Sequence, residues 1–334
     1  MPPLPSVSVV IPCYNARAWV AGAVRSVLQE CASPVEVLVI DDGSTDGSGA
    51  LVAAEFPAVR LVTTPNRGVS HTRNLGIELA RGDLFVFLDA DDLLPPGRLD
   101  RHARLLEETG ADVAYGNWQR LRPGPEGQFR AAERVERCLG AEPALELFTT
   151  FWCPTGAYTF RRAVVERIGG FSPRLPVIQD ARFALDCALR GARFAHDAEI
   201  ACLYRTHDAG SVSTRSAAAF LRDCLTSAVE VRRWWESEGG LTAAQRAALV
   251  SVLDYVARTS CGLDLECFAA ACEQFEQVRA GGRVPGRAAT RWLTKLLGYR
   301  RAHRVAAPLR RFRRLVTGLV GRGPSPEATS STTC

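Results

Sequence analysis

The sequence predicts an α/β fold, a mixed, mainly parallel sheet flanked by helices, with an α-helical C-terminal extension. Apolar, β-branched stretches alternate with helical periodicity four times within about ninety residues, the signature of βαβ units. These stretches read as buried strands of a parallel sheet, which are covered on both faces. From Ala217 onward the chain reads as helices.

In chain order, Ser6-Val7-Ser8-Val9-Val10-Ile11 is a first strand closed by Pro12, and residues 17–29 form an amphipathic helix with Trp19, Ala23, Val27 and Leu28 on one face. Residues 35–40 form a second strand that delivers Asp41-Asp42-Gly43-Ser44-Thr45-Asp46-Gly47, a turn into a helix. The run lacks the ligand spacing and closing Glu of an EF-hand. Residues 60–64 form a short third strand, and Asn66-Arg67-Gly68 leads into a helix ending near Arg81. The fourth strand, Leu84-Phe85-Val86-Phe87-Leu88, is the centre of the pattern. It delivers three carboxylates, Asp89, Asp91 and Asp92, to its carboxyl end, where open α/β sheets bind ligands. Crowded carboxylates repel by about 4 kcal/mol per pair at about 4 Å and an effective dielectric near 20. A divalent cation relieves this, and hard oxygen ligands suit Mg²⁺ or Mn²⁺. A solvated turn capping the next helix relieves it too, and the triplet alone leaves both readings open.

Beyond it, a helix at 96–109 turns Leu99, Ala103 and Leu106 inward, residues 113–116 form a strand, and Pro123-Gly124-Pro125-Glu126-Gly127 is a loop. Residues 151–162 hold a strand, and a short helix at 163–168 is stopped by Gly169-Gly170. Gln179-Asp180 opens another helix, residues 201–207 are a strand ending in His207, and helices follow at 220–238, 242–258 and 265–279.

At 334 residues, 47% hydrophobic and 23% charged, the chain can bury a full core. Its formal charge of +5 hides a split. Residues 281–322 hold twelve of the 41 basic residues and no acid, and removing those twelve leaves 29 basic against 36 acidic residues. An acidic body therefore carries one basic segment. Eleven cysteines without regular spacing predict reduced thiols in the cytoplasm. No apolar run approaches about eighteen residues, so neither secretion nor a membrane span is expected. No G-x-G-x-x-G follows the first strand, which disfavours a dinucleotide fold, and the absence of G-x-x-x-x-G-K-[ST] excludes a P-loop. The carboxyl edge of the sheet presents Tyr14, Asp41, Asp42, Arg73, Asp89 and Asp91. A flat ring, acids, a cation and a metal site together suit a nucleoside diphosphate.

Val7-Ser8-Val9-Val10-Ile11-Pro12-Cys13-Tyr14-Asn15, Val39-Ile40-Asp41-Asp42-Gly43-Ser44-Thr45-Asp46, Asn66-Arg67-Gly68-Val69-Ser70, Arg73-Asn74-Leu75-Gly76 and Phe87-Leu88-Asp89-Ala90-Asp91-Asp92 resemble the successive motifs of family 2 glycosyltransferases with the GT-A fold. The resemblance covers about residues 6–213, and only His71 and Thr72 stand where the family has small residues. It implies an inverting, non-processive transfer of one sugar from a nucleoside diphosphate sugar, a UDP-sugar foremost, to a hydroxyl of a glycan, lipid-linked or small-molecule acceptor. The context implied is cell-surface polysaccharide or other glycoconjugate synthesis. By the same resemblance Pro12, Tyr14, Asn15, Asp41, Asp42, Arg73, Asp89 and Ala90 would bind the nucleotide-sugar, with Tyr14 and Asp42 at the base, Asp41 there or at the ribose, and Arg73 near the diphosphate. Asp91 would be the main ligand of Mn²⁺ or Mg²⁺, with Asp89 and His207 beside it. Asp180 falls where the family carries its general base, with Gln179 in place of the usual acid. Read from its residue type alone, it is also a helix N-terminal carboxylate, worth a fraction of a kcal/mol up to about 1.

Processive synthases carry Gln-x-x-Arg-Trp, and Arg233-Trp234 lacks that Gln. A sugar nucleotidyltransferase needs a Gly-rich loop after its first strand, which Pro12-Cys13-Tyr14-Asn15 is not. A catalytically silent nucleotide-sugar-binding protein is the other rival, and Asp180, Asp89 and Asp91 speak against it. The expected domains are a catalytic domain at 1–214, with a donor half to about 118 and an acceptor half at 119–214, a helical region at 215–322 and a disordered tail at 323–334. In the basic end of the helical region Trp292, Leu296 and Tyr299 share one helical face, and Leu309, Phe312, Leu315, Val316, Leu319 and Val320 another. Such helices suit peripheral contact with an anionic membrane at its inner face, or else packing on the body or pairing into a homodimer. No nucleic-acid motif accompanies the arginines, so no such partner is expected.

Overall fold

The computed structural model describes residues 3–28, 33–124, 128–206, 216–279 and 298–305. The chain divides into two compact units between Ser211 and Val212. In the first, eight strands form one sheet: β1 (Val7–Cys13), β2 (Val35–Asp41), β3 (Arg60–Thr63), β4 (Leu84–Phe87), β5 (Val113–Pro123), β6 (Phe129–Val135), β7 (Tyr158–Arg161) and β8 (Phe194–Arg205). Their order is β3-β2-β1-β4-β7-β5-β6, with β8 parallel to β5 along its other edge. The first four strands are parallel. β4 then pairs antiparallel with β7, so strand direction reverses beside the strand that carries the aspartates.

Helices α1 (Val20–Val27), α2 (Ser48–Glu55) and α3 (Val69–Leu79) make the crossovers between the first four strands, and α4 (Arg98–Thr109), α5 (Pro143–Thr149), α6 (Arg162–Ile168) and α7 (Gln179–Leu189) complete the unit. The apolar run of β4 does what its composition demands: Leu84, Phe85, Val86, Phe87 and Leu88 are all fully buried. Phe87 meets Phe171 edge-on at 4.8 Å, and Phe171 stacks on Phe183 of α7 at 4.2 Å. Asn74 of α3 fixes the backbone of Phe171 from both sides, donating to its carbonyl at 2.9 Å and accepting from its amide at 2.7 Å. Aromatic packing thus brings α7 against the strand whose end carries Asp89.

The structure departs from the sequence reading at several places. Residues 129–135, unassigned in that reading, form β6, which pairs antiparallel with β5 across the Pro/Gly loop. Its central residues are exposed, so no apolar alternation announced it. β5 runs on to Pro123, and β8 begins at Phe194 rather than at 201. The first helix starts at Val20 rather than 17, because Asn15 takes a left-handed φ of 48° and Trp19 closes a turn on Ala16.

The second unit holds α8 (Ala217–Ser237), α9 (Ala243–Ser260) and α10 (Leu265–Arg279), and a helical turn at 299–305. Tyr299, expected on an apolar face of the basic segment, is buried against Phe275 of α10 at 3.8 Å and donates to Asp254 of α9 at 2.8 Å. Trp292, Leu296 and the 309–320 face lie outside the described residues. No helix among the described residues is long and apolar enough to cross a membrane. Cys13, Cys153, Cys187, Cys202, Cys224, Cys261, Cys267 and Cys272 are free thiols, whereas Cys138 is disulfide-bonded, a departure from the expectation of reduced thiols throughout.

Gly76 of α3 faces Val10 of β1 so closely that any Cβ there would overlap the valine methyls. Alanine gains about 1 kcal/mol of helix propensity, whereas overpacking costs about 1–3 kcal/mol. Gly76→Ala is therefore expected to lower the thermal unfolding midpoint; a midpoint at or above that of the parent would show that α3 is not packed this tightly.

Candidate active site

Two clusters form at the carboxyl edge of the parallel strands. The first joins the ends of β1 and β2. Asn15 accepts from the Thr45 amide at 2.8 Å, and its own amide donates to Ser44 Oγ at 2.9 Å, which stitches the loop after Pro12 to the loop after Asp41. Asp41 is buried and accepts from the Ser44 amide at 3.0 Å. Asp42, also buried, accepts from the amides of Arg67 and Gly68, both at 2.8 Å, and so shapes the loop that enters α3. Tyr14, the residue after β1, has 53% of its surface exposed, an open aromatic face at the same sheet edge.

The second cluster forms around Arg73, which is 1% exposed. One terminal nitrogen donates to Gln179 Oε1 at 2.5 Å, the other to the carboxylate of Asp89, and the guanidinium lies 5.2 Å from the Phe171 ring centroid. Gln179 and Asp180 open α7, so one arginine ties the aspartate turn to the helix that carries Asp180. Asp180 does not cap its own helix. Its Oδ2 accepts from Thr155 Oγ1 at 3.2 Å instead. Burial raises the pKa of Asp89, Arg73 opposes this, and the charges of Asp91 and Asp180 add to the rise. Four groups expected at the site are therefore within electrostatic reach of one another.

The turn after β4 gives its carboxylates different surroundings. Asp92 folds inward: it is buried, accepts from the Arg205 amide at 2.9 Å, and has its pKa pushed well up by burial and by the charges of Asp91 and Asp89. The Arg205 side chain returns to donate to the Asp91 carbonyl at 2.8 Å, with its guanidinium 5.5 Å from both the Trp19 and Phe129 ring centroids. This reciprocal clamp was not foreseen; the signal was the arginine inside Tyr204-Arg205-Thr206. Ala90 is buried within the turn. His207 lies outside the described residues.

The family model "Glycosyl transferase family 2" matches residues 8–169. An uncharacterised protein of Mycobacterium tuberculosis is 30% identical over 231 residues, which are 64% of this chain and 71% of that protein. The chain belongs to glycosyl transferase family 2. The succinoglycan biosynthesis protein ExoO of Rhizobium meliloti is 40% identical over 116 residues, 34% of this chain and 33% of ExoO. The match spans from a third to about half of the length of the first curated relatives. Among solved structures, Staphylococcus aureus TarS 1-349 in complex with UDP-GlcNAc superposes with a TM-score of 0.65 at 18% identity, covering 92% of both chains. The mannosyltransferase PcManGT of Pyrobaculum calidifontis, in complex with GDP-Man and Mn²⁺, superposes at 0.55 and 20% identity, covering 91% of this chain and 87% of that one. These likenesses show the fold to be GT-A.

The residues fit a divalent cation in one respect. Asp89 and Asp91 supply hard oxygen donors at one turn, and the Asp89 side chain keeps 37% of its surface although Arg73 holds one oxygen. Among the described residues no three His, Cys, Asp or Glu side chains converge on a metal position. Two carboxylates suit an ion whose remaining ligands are water and substrate phosphates.

Beneath the Thr155 turn runs a buried network that the sequence reading missed. Arg98 of α4, fully buried, donates to the carbonyls of Gly156 at 2.8 Å and Tyr158 at 2.7 Å and to Thr159 Oγ1 at 2.9 Å. That hydroxyl in turn donates to His102 Nδ1 at 3.0 Å, which leaves Nε2–H facing Asp197 at 3.5 Å. Burial, reinforced by Arg98, pushes His102 down to about 3, so the native state keeps it neutral where the unfolded chain protonates it. Since the unfolded state binds the extra proton, stability is complete above about pH 6.5 and is lost as pH falls toward about 3. Thermal midpoints measured across that window should decline in the parent and decline less in His102→Gln; parallel curves would remove His102 from the acid response.

Proposed function

We propose that this chain moves one sugar from a nucleoside diphosphate sugar, a UDP-sugar foremost, to an acceptor hydroxyl with inversion at the anomeric carbon, and that Asp180 is the general base. The observation that carries the reading is Arg73 joining Asp89 to Gln179, because it holds the aspartate turn and the start of α7 in one arrangement. Complexes of TarS with UDP-GlcNAc and of PcManGT with GDP-Man support this donor class. Tyr14 offers the base a stacking face, and the Asn15, Asp41 and Asp42 loops shape the pocket around base and ribose. Arg73, buried with both terminal nitrogens engaged, acts through Asp89 by fixing its orientation. Asp180 takes the acceptor proton as the oxygen attacks, while Thr155 orients the carboxylate. A single displacement on the face opposite the leaving group inverts the centre.

Asp91 and Asp89, with His207, would hold Mn²⁺ or Mg²⁺, which when bound neutralises charge on the departing diphosphate. The likeness to ExoO supports a place in polysaccharide or other glycoconjugate synthesis, and the basic segment supports peripheral placement on the cytoplasmic face of an anionic membrane. The acceptor half of the domain is taken as 119–214 and the donor half as the residues before it.

Asp180→Asn should lower kcat by about 10² or more with the donor Kd unchanged, as removal of a positioned base does. Turnover at the parental rate would move the base elsewhere. Asp91→Asn is expected to abolish both transfer and Mn²⁺-dependent nucleotide binding, measured by calorimetry, without altering the circular dichroism spectrum. Full activity in EDTA would refute the metal assignment.

A further inference from the structure

Three residues before Thr155, the chain presents Trp152 with 37% of its surface exposed. Its indole is held by two aromatic neighbours at nearly right angles, Trp118 at 5.8 Å and 87° and Tyr204 at 5.7 Å and 77°. Edge-to-face contacts of this kind fix a ring without covering it. The position of these rings relates them to the chemistry already described. Trp118 and Tyr204 lie on the facing strands β5 and β8, where Trp118 pairs with Cys202 and Arg120 with Tyr204. On the same face, Cys202 lies under Gly156, whose Cβ position would be 3.0 Å from the Cys202 sulfur. The segment 152–157 thus rests on β5 and β8. From one end of it Thr155 reaches Asp180, and from the other Trp152 reaches Tyr204.

Tyr204 adjoins the aspartate turn through its neighbour Arg205, which bonds Asp92 and the Asp91 carbonyl. Its hydroxyl stays protonated, pushed up to about 12 by burial and by the charges of Asp92, Asp89 and Asp91, and so remains a donor at neutral pH. The segment therefore links a phenol that can donate, a partly exposed indole and, through Thr155, the Asp180 carboxylate.

We propose that Trp152, with Tyr204 beside it, is the platform for the acceptor, and that the acceptor presents a pyranose ring there. The negative face of an aromatic ring attracts the slightly positive axial C–H bonds on one face of a pyranose, while the ring's hydroxyls stay at its edge. An acceptor sugar lying on Trp152 turns an edge hydroxyl toward Asp180 and another toward Tyr204. An acceptor with a purely aliphatic reacting end would gain the burial but neither hydrogen bond. This inference rests on the proposed glycosyl transfer.

The test is saturation-transfer NMR on the full chain with Mg²⁺, which is diamagnetic, UDP and GDP as nucleotide probes, and methyl β-glucopyranoside, methyl β-galactopyranoside, methyl α-mannopyranoside and octyl β-glucopyranoside as acceptor probes. At least one methyl pyranoside should receive saturation, concentrated on the C–H bonds of one ring face. The signal should fall at least fivefold in Trp152→Ala, be largely kept in Trp152→Phe, and weaken in Tyr204→Leu, with nucleotide signals unchanged in all three. The nucleotide signals also report that each variant is folded. Nucleotide binding with no pyranoside signal overturns the platform while leaving glycosyl transfer intact, as does equal pyranoside signal in Trp152→Ala. Saturation confined to the octyl chain overturns it in favour of an apolar aglycone. Absence of nucleotide binding refutes the proposed function, and the platform with it.

Discussion

The organising interaction of the first unit is the buried guanidinium of Arg73. Carboxylates gathered at one sheet edge repel, and each buried one must be compensated or protonated. Arg73 supplies the compensation for Asp89 and uses its other terminal nitrogen on a neutral partner, Gln179. A glutamate in place of Gln179 would bring a further negative charge to a centre that already contains Asp89, Asp91 and Asp180. With Gln179, the arginine's charge is committed to Asp89, and α7 is tied on by a hydrogen bond. Breaking a buried pair by removing one partner costs about 3–5 kcal/mol, and the solvent access of Asp89 places this pair near the lower bound. That is large beside the net stability of a domain, about 5–15 kcal/mol. The same contact therefore stabilises the fold and sets the distance between the two halves of the site.

Around that centre the carboxylates are separated by environment rather than by position in the chain. Asp89 is held by Arg73, Asp92 turns inward to the Arg205 amide, and half-buried Asp91 has its carbonyl held by the Arg205 side chain. The clamp is reciprocal, since β8 supplies the donor to Asp92 and receives in exchange an anchor for its own last residue. The packing of half-buried Arg205 against Trp19 and Phe129 gives β6 a use that its exposed residues do not suggest. The hairpin contributes one aromatic ring to a cation that fixes the aspartate turn.

What could be read from the sequence divides along physical lines. β1, β2 and β4 were legible because strands buried on both faces are mainly apolar, and their carboxyl ends follow from that. The helices of the second unit were legible from spacing alone, with ends displaced by a few residues from those of the structure. β6 was not, since a strand with exposed central residues leaves no hydrophobic period. Arg98 and His102 were not, because a charged residue in a helix is ordinarily solvated. What buries these two are carbonyls and a hydroxyl from residues 156–159, some sixty positions along the chain. Gln179 was visible only as a departure from the usual acid, and its role emerged once the fold placed it on Arg73. Local chemistry is written in the sequence, whereas the partners that satisfy buried polar groups come from topology.

The Thr155 turn shows how that topology reaches the chemistry. A general base must be held within hydrogen-bond reach of the proton it takes, so its support matters as much as its acidity. Asp180 lies on the first turn of a helix yet is oriented from outside it, by Thr155. Thr155 in turn stands on a short 3₁₀ turn at 155–157, a geometry that is weak in isolation. Arg98 stabilises it from below by binding the carbonyls of Gly156 and Tyr158. Burial pushes Arg98 down to about 9, which leaves it protonated at neutral pH and able to hold both carbonyls with charge-assisted bonds. The cost of burying that charge is offset by three hydrogen bonds to neutral oxygens, and the charge of Asp197 adds to that support.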